Sequence, residues 1–254
     1  GKGGNFSAFF YIYPTKSIKM KKSLLLMVLG IGIMGLNACK KKGCMDSTAV
    51  NYNAKAKKDD GSCLYKPTIT VNGQATVSIN VGSSYADAGA TAANKDGSSV
   101  PVTTDNQVDS SMVGTYYVNY AATNSNGTTT AKRRVDVIIG AENWTGVTWA
   151  LSTTCSGTQF PLSSSPSITA GGSSTAVNID NFFNLVGGTA TGTINGGSIT
   201  VPEQTVNITI GDVTFSGTGA MNNTGTQIQI TYTYDNNAPL IGGTGTCMAI
   251  YDKQ

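Results

Sequence analysis

The sequence contains no histidine and few charged residues, and both shortages limit the chemistry that it can support. Charged side chains make up 12% of the 254 residues, and histidine, the most frequent general base and metal ligand in proteins, is absent. Acid–base catalysis would therefore depend on paired carboxylates, as glycoside hydrolysis does.

The carboxylates between residues 142 and 252 lie in sequence contexts typical of turns, which argues against a catalytic pair. Glu203 follows a proline, Asp212 follows a glycine and Asp235 precedes two asparagines, which are turn contexts. The chain also lacks a G-x-S-x-G elbow, a Ser-x-x-Lys pair and a phosphate-binding loop. We therefore predict no enzymatic activity and no cofactor. The carboxylates considered are Glu142, Asp180, Glu203, Asp212, Asp235 and Asp252.

The distribution of charge argues against a nucleic-acid partner. The whole chain has a net charge of +3, but five lysines and no acids precede Cys39. From Pro67 onward there are five basic and eleven acidic residues. Binding to nucleic acid depends on lysine and arginine side chains that neutralise phosphates, so we predict no such partner.

An apolar run from Ser23 to Leu36 follows Met20 and two lysines and ends in small residues. It is shorter than the roughly 20 residues of a membrane-spanning helix, and the pattern is typical of a secretory signal. Leu36, Asn37, Ala38 and Cys39 resemble the lipobox of bacterial lipoproteins, which implies that Cys39 carries lipid. We interpret residues 1–19 as an upstream non-native extension and residues 20–38 as the signal peptide.

Lipid on Cys39 would hold the chain at a membrane, because each buried acyl CH₂ contributes about 0.8 kcal/mol. In such lipoproteins an aspartate after the lipidated cysteine signals avoidance of the outer membrane, and Lys40 stands there instead. We therefore predict a cell-envelope location at the outer membrane, with the leaflet left open. Lys40, Lys41 and Lys42 either contact headgroups or form a solvated spacer, and the sequence permits both.

The four other cysteines form an even set, for which three pairings exist. Proximity and segment integrity favour Cys44 with Cys63 and Cys155 with Cys247. The alternative of a zinc site lacks the C-x-x-C pairs or histidines that it needs. We therefore predict two disulfides.

The segment GCMDSTAVNYNAKAKKDDGSCLY resembles a two-cysteine module of exported Bacteroidetes proteins, with the pattern GC-D-TA-NYN-A-DDGSC-Y. We interpret residues 39–66 as the lipid anchor and a disulfide-stapled spacer. Asp46, Asp59 and Asp60 could offer oxygen ligands to calcium. Asp-Asp-Gly is also a turn sequence, and we favour the turn, so no metal is predicted.

Between residues 67 and 140, apolar residues alternate in TVSINV, TYYVNYA and RRVDVII, with Asp-Gly and Asn-Gly turns between such runs. This pattern predicts a small β-sandwich. The stretches GSSYADAGATAANKDG and VDSSMVGTYYVNYAATNSNGTTTAKRRVDVII resemble a bacterial immunoglobulin-like repeat of the crystal-toxin and surface-protein type. The resemblance implies a stalk or contact module. Asn94, Asn124 and Asn126 stand where that family often has acids, which argues against calcium there.

Residues 141–254 contain further alternating runs separated by Gly or Asn, among them VNITI and TQIQITYTY. Roughly seven or eight short strands predict a second antiparallel domain, either a β-barrel or a β-sandwich. Its pattern and terminal cysteines resemble the lipocalin-like barrels of Bacteroidetes lipoproteins. The predicted fold class is therefore all-β: an immunoglobulin-like β-sandwich followed by this second domain.

Aromatic residues of the second domain are the candidate ligand contacts. An exposed ring could stack on a sugar, and an inward-facing set could line an apolar cavity. Large apolar residues more often form the core, which we favour for most of these, with Trp144 as the ring expected to be exposed. The candidates are Trp144, Trp149, Phe182, Phe183, Tyr232 and Tyr234.

Together these features predict a non-enzymatic envelope lipoprotein that acts as a surface or periplasm-facing binding and adhesion module. The expected partners are the membrane, through the N-terminal lipid, and a glycan or an envelope or host protein. The alternative is a lipocalin-like barrel that carries a small apolar ligand inside. An exposed Trp144 would favour the first function and a lined cavity the second.

Overall fold

A computed structural model describes residues 40–157, 166–182, 189–208, 211–239 and 242–254. Cys39, the predicted signal peptide and Phe183 lie outside these ranges. The chain divides into two compact units, one ending at Leu64 and the other comprising Tyr65–Gln254. Each unit is described by itself.

The described part of the first unit, residues 40–64, is built from turns around one disulfide. Cys44 is bonded to Cys63, and the backbones of Lys42 and Lys58 form an isolated parallel bridge. The buried apolar residues here are small: Cys44, Ala49 and Ala56. So small a core needs the covalent bond, since a loop of about 15 residues gains about 3 kcal/mol from closure in the chain-entropy model.

The second unit begins with a seven-stranded β-sandwich. One sheet has the order β1-β3-β4 and the other the order β2-β7-β6-β5, in which β2 runs parallel to β7 and the other neighbours are antiparallel. The strands are β1 Thr68–Val71, β2 Thr76–Asn80, β3 Ala90–Ala93, β4 Ser99–Val100, β5 Val102–Asn106, β6 Gly114–Asn124 and β7 Gly127–Ile138.

The core of the sandwich confirms the alternation predicted from the sequence. Val118 and Tyr120 of β6 and Arg133, Val135 and Val137 of β7 are buried, while the residues between them are exposed or half-buried. Successive side chains of a strand point to opposite faces, so every second residue enters the core. Arg133, the charged member of this inward-facing series, is buried with a charged partner.

In the described residues, the rest of the second unit forms one antiparallel eight-stranded sheet, curled into a half-barrel, with the order β8-β15-β14-β13-β12-β11-β10-β9. One isolated antiparallel bridge, between Thr148 just before β8 and Ser167 of β9, connects the two edge strands at a single point. The all-β class is thereby confirmed. The strands are β8 Trp149–Cys155, β9 Ser167–Ala170, β10 Ala176–Asp180, β11 Thr189–Asn195, β12 Ser198–Ile208, β13 Gly211–Met221, β14 Gln227–Asn236 and β15 Gly243–Lys253.

A one-turn helix, α1 (Ala141–Trp144), joins the sandwich to the half-barrel. The amide of Asn143 donates to the carbonyl of Val81 at 2.8 Å, and its Oδ1 accepts from the backbone N–H of Gly140 at 3.0 Å. Val81 and Ile139 belong to the same apolar cluster as Trp144. The predicted domain boundary at residue 140 therefore falls within a continuous core.

No helix in the described residues has the length and hydrophobicity needed to cross a membrane.

Candidate functional site

The predicted aromatic contacts that the structure describes are all buried. Trp144 and Trp149 have no exposed surface, and Phe182, Tyr232 and Tyr234 are at most 4% exposed. The prediction that Trp144 is exposed is wrong. Its ring lies between the sandwich and the half-barrel, where its Nε1–H donates to the carbonyl of Gly196 at 3.0 Å.

The buried aromatic rings pack against one another. The ring of Phe182 lies 5.1 Å from that of Phe215 and 5.2 Å from that of Tyr232. Burial raises the pKa of the Tyr232 and Tyr251 hydroxyls well above the ordinary value. These rings thus serve as core of the half-barrel, and Phe183 lies outside the described residues.

The two predicted disulfides are present. Cys44 is bonded to Cys63, and Cys155 of β8 is bonded to Cys247 of β15. Cys155 and Cys247 stand directly opposite each other in the β8–β15 pairing. This second bond ties an edge strand of the half-barrel to its neighbour.

The three aspartates considered for calcium hold turns instead. Asp46 Oδ1 accepts from the N–H and hydroxyl of Thr48 at 2.9 and 2.7 Å. Asp60 Oδ1 accepts from the N–H and hydroxyl of Ser62 at 3.1 and 2.5 Å, which lowers the pKa of Asp60. The carboxylate of Asp59 accepts from the N–H of Gly61 at 3.4 Å. Within the described ranges no three His, Cys, Asp or Glu residues come together as metal ligands.

Four of the six acids considered for catalysis form structural hydrogen bonds, whereas Glu203 and Asp235 line one open pocket together. The carboxylate of Asp180 accepts hydrogen bonds from the hydroxyls of Ser167 and Thr189 at 2.9 and 2.8 Å. These two residues lie opposite Asp180 on the neighbouring strands. Glu142 accepts from the Asn80 amide at 2.9 Å, beside the joining helix. Asp252 accepts from the Gln227 amide at 2.8 Å. These contacts connect adjacent strands or segments of the fold.

An open groove on the outer face of β5, β6 and β7 is the best candidate site in the described residues. Its volume is about 620 Å³. Asp105, Asn119 and Lys132 stand opposite one another on the three strands and form its polar side. The next row across the strands is Thr103, Ala121 and Thr130.

The polar row is held in place by its neighbours. The carboxylate Oδ2 of Asp105 accepts from the Gln107 amide at 2.9 Å and from the Asn119 amide at 3.4 Å. The ammonium of Lys132 lies 4.4 Å from the centroid of the Tyr117 ring, a cation–π contact. A carboxylate, an amide and an ammonium are thus presented side by side. The small Ala121 beside them leaves room in the groove.

A buried polar network lies beneath the groove. Arg133 is 2% exposed, and its Nη1 pairs with Asp87 Oδ1 at 2.8 Å. The hydroxyl of Tyr120 lies 2.8 and 2.9 Å from the two Asp87 oxygens, and that of Tyr85 lies 3.0 Å from Oδ1. Burial, and then hydrogen bonding to Asp87, raises the pKa of Tyr120 to about 12. Since Asn119 and Lys132 adjoin Tyr120 and Arg133 in the chain, the network fixes the strands that carry the groove.

The groove is not apparent from the amino-acid sequence. Its residues occupy the outward positions of alternating strands, where polar side chains are ordinary. Only the register brings Asp105, Asn119 and Lys132 together, and three separate strands do not reveal their register in advance.

The strands that form the groove lie within a segment that matches a family model. Residues 69–137 match the family described as bacterial surface protein, Ig-like domain. No curated protein matches the chain significantly. Among solved structures, the crystal structure of the lipoprotein BT2262 from Bacteroides thetaiotaomicron is similar at 16% identity and a TM-score of 0.28, covering 73% of this chain and 99% of that one. The β-sandwich, although not the whole chain, is thus similar to the Ig-like domains of bacterial surface proteins.

Proposed function

We propose that this protein is a non-enzymatic binding module of the bacterial cell envelope, anchored by lipid on Cys39, and that the groove on its sandwich contacts the partner. The observation that best supports the proposal is the row of Asp105, Asn119 and Lys132 beside an open groove. This groove lies in the segment that matches bacterial surface Ig-like domains.

The chemistry of the groove suits a glycan. Asp105 supplies acceptor oxygens, Asn119 supplies both donors and acceptors, and Lys132 supplies donors, so adjacent hydroxyls of a sugar could be satisfied together. The hydroxyls of Thr103 and Thr130 line the same groove. The small side chain of Ala121 would allow a sugar ring to approach the sheet.

A glycan array tests this proposal, with the unlipidated chain 40–254 as the probe. We expect binding to a subset of bacterial or host polysaccharides, and a loss of at least about tenfold in affinity for the Asp105→Ala/Asn119→Ala variant, since a tenfold change corresponds to about 1.4 kcal/mol. Thr193→Ala, an exposed change on β11, is the matched control and should bind as the unchanged protein does.

Two outcomes would contradict the glycan proposal. An array without binding, together with retention of an envelope or host protein, would make the partner a protein. Glycan binding that is equal in the double variant would place the contact outside the groove.

The anchor is tested separately. Cells that express the full chain are supplied with an alkyne-bearing fatty acid, and the protein is recovered and labelled. We expect incorporation that is abolished by Cys39→Ala. Equal labelling of the variant, or no labelling of either protein, would contradict lipidation at this cysteine.

A further inference from the structure

Two separate groups of lysines come together in the first unit. Lys40, Lys41 and Lys42 precede the first cysteine of the module, whereas Lys55, Lys57 and Lys58 lie inside the disulfide loop. The backbones of Lys42 and Lys58 are bridged, and the N–H of Lys57 donates to the carbonyl of Lys41 at 2.7 Å. All six lysines are exposed.

The same short unit is unusually apolar at its surface. Four of the seven large apolar side chains exposed in the described residues belong to it: Met45, Val50, Tyr52 and Leu64, which are 45–49% exposed. The small buried core of the described residues 40–64 leaves them exposed.

Hydrogen bonds hold the backbone segments that carry three of these side chains next to each other. The N–H of Val50 donates to the carbonyl of Leu64 at 2.9 Å. The side chain of Asn51 accepts from the N–H of Leu64 at 2.8 Å and donates to the carbonyl of Ser62 at 2.6 Å. Leu64 is therefore held beside the segment that carries Val50 and Tyr52.

We infer that this unit docks directly on an anionic membrane surface, where the six lysines contact lipid phosphates while Val50, Tyr52 and Leu64 enter the interfacial layer. Basic residues together with exposed apolar residues are the combination found in segments that lie in the membrane interface. Tyrosine in particular favours the headgroup level.

Charge complementarity and chain connectivity both support this partner. Residues 40–64 contain six lysines and three aspartates, whereas the chain from Pro67 onward is acidic, with five basic and eleven acidic residues. Only the first unit is thus suited to anionic lipid. The inference builds on the proposed lipid anchor, because acyl chains on Cys39 would enter the bilayer next to Lys40.

Vesicle sedimentation tests the docking with the unlipidated chain 40–254, so that lipidation does not contribute. We expect binding to vesicles of phosphatidylcholine with phosphatidylglycerol and much weaker binding to phosphatidylcholine alone. Lys55→Gln/Lys57→Gln/Lys58→Gln should reduce binding at least about tenfold, because each lysine removed loses its contact with anionic lipid. Lys95→Gln/Arg134→Gln/Lys253→Gln removes the same charge from the second unit and should leave binding unchanged.

A second measurement tests insertion. The Tyr52→Trp variant places an indole on the proposed contact surface, while Trp144 and Trp149 are fully buried. Its emission should shift to shorter wavelength when anionic vesicles are added, and Val50→Ser/Leu64→Ser in the same background should remove the shift.

The inference is overturned if the unlipidated chain does not sediment with anionic vesicles, or if both lysine triple variants lose binding equally. An emission spectrum unchanged by vesicles would overturn the insertion of the apolar residues. Glycan binding by the Lys55, Lys57 and Lys58 variant serves as the reference, because it depends on the groove alone and so separates failure of docking from failure of the proposed function.

Discussion

At the scale of single residues, the decisive feature is the buried ion pair of Arg133 and Asp87. The Arg133 side chain is 2% exposed and that of Asp87 is 12% exposed. Burying a charge is costly unless it is paired and hydrogen-bonded, and here Tyr85 and Tyr120 also bond the carboxylate. The alternation of β7 predicts that residue 133 points into the core. The sequence does not indicate which acidic residue pairs with the arginine at this position. That partner lies 46 residues away.

We predict that Asp87→Asn destabilises the second unit by about 3–5 kcal/mol, because it leaves the Arg133 guanidinium buried without a counter-charge. Chemical denaturation with a fluorescence readout measures the change. Asp136→Asn is the matched control: it breaks the pair with Arg134, whose side chain is 52% exposed, and should cost no more than about 1 kcal/mol. Equal costs for the two variants would contradict the role assigned to the buried pair.

Tyr120 makes the free energy of unfolding decrease with pH in the alkaline range. Its pKa is about 12 in the folded protein, against about 10 for an unperturbed tyrosine. The folded state therefore favours the neutral hydroxyl, and this contribution is full below about pH 10 and is lost as the pH rises towards 12. Chemical denaturation between pH 8 and 12 should show that the free energy of unfolding declines less steeply with pH in Tyr120→Phe than in the unchanged protein. Parallel declines would show that Tyr120 does not couple to folding.

At the scale of elements, alternation of side chains determines which face of each strand is buried. In β14 the burial alternates strictly, with Ile228, Ile230, Tyr232 and Tyr234 inside. The sequence predicted this pattern because polar and apolar residues alternate there. It left open whether the strands form a barrel or a sandwich, because that depends on how the sheet curls and on which edge strands meet.

A glycine of β13 allows β13 and β14 to approach closely. A β-carbon on Gly219 would lie 2.8 Å from the Cα of Ile230, closer than real β-carbons come to backbone atoms. We predict that Gly219→Ala costs about 1–3 kcal/mol, since the paired strand must move. Gly172→Ala, at a position with open space, should change the free energy of unfolding by less than about 0.5 kcal/mol. Thermal unfolding of both variants measures the difference, and a neutral Gly219→Ala would contradict the close approach.

At the scale of the whole molecule, the sandwich and the half-barrel share one core. Val81 and Ile139 from the sandwich pack with Trp144 and Met221, and the N–H of Val113 donates to the carbonyl of Asn223 at 2.9 Å. The alternating runs predicted two separate domains that meet at residue 140. Trp144 was expected at the surface because the sequence does not show that the sandwich and the half-barrel both pack against its ring. The groove could not be predicted from the sequence either, because its side chains come together only through the register of three strands.

We predict that the second unit unfolds in one cooperative transition and that Trp144→Ala lowers its stability by about 3–5 kcal/mol, the usual cost of truncating a buried tryptophan. Differential scanning calorimetry measures both quantities. Tyr52→Ala, which truncates a 48% exposed ring of the first unit, should leave this transition nearly unchanged. Separate transitions for the sandwich and the half-barrel would contradict the shared core.

Binding through the groove is tested by the affinity of the unlipidated chain for a glycan selected on the array, compared between the unchanged protein and the Asp105→Ala/Asn119→Ala variant. Calorimetric titration gives both affinities and the stoichiometry. We expect one site per chain and a loss of at least about tenfold in affinity in the variant. Equal affinities in a variant that is folded by thermal unfolding would contradict binding through the groove.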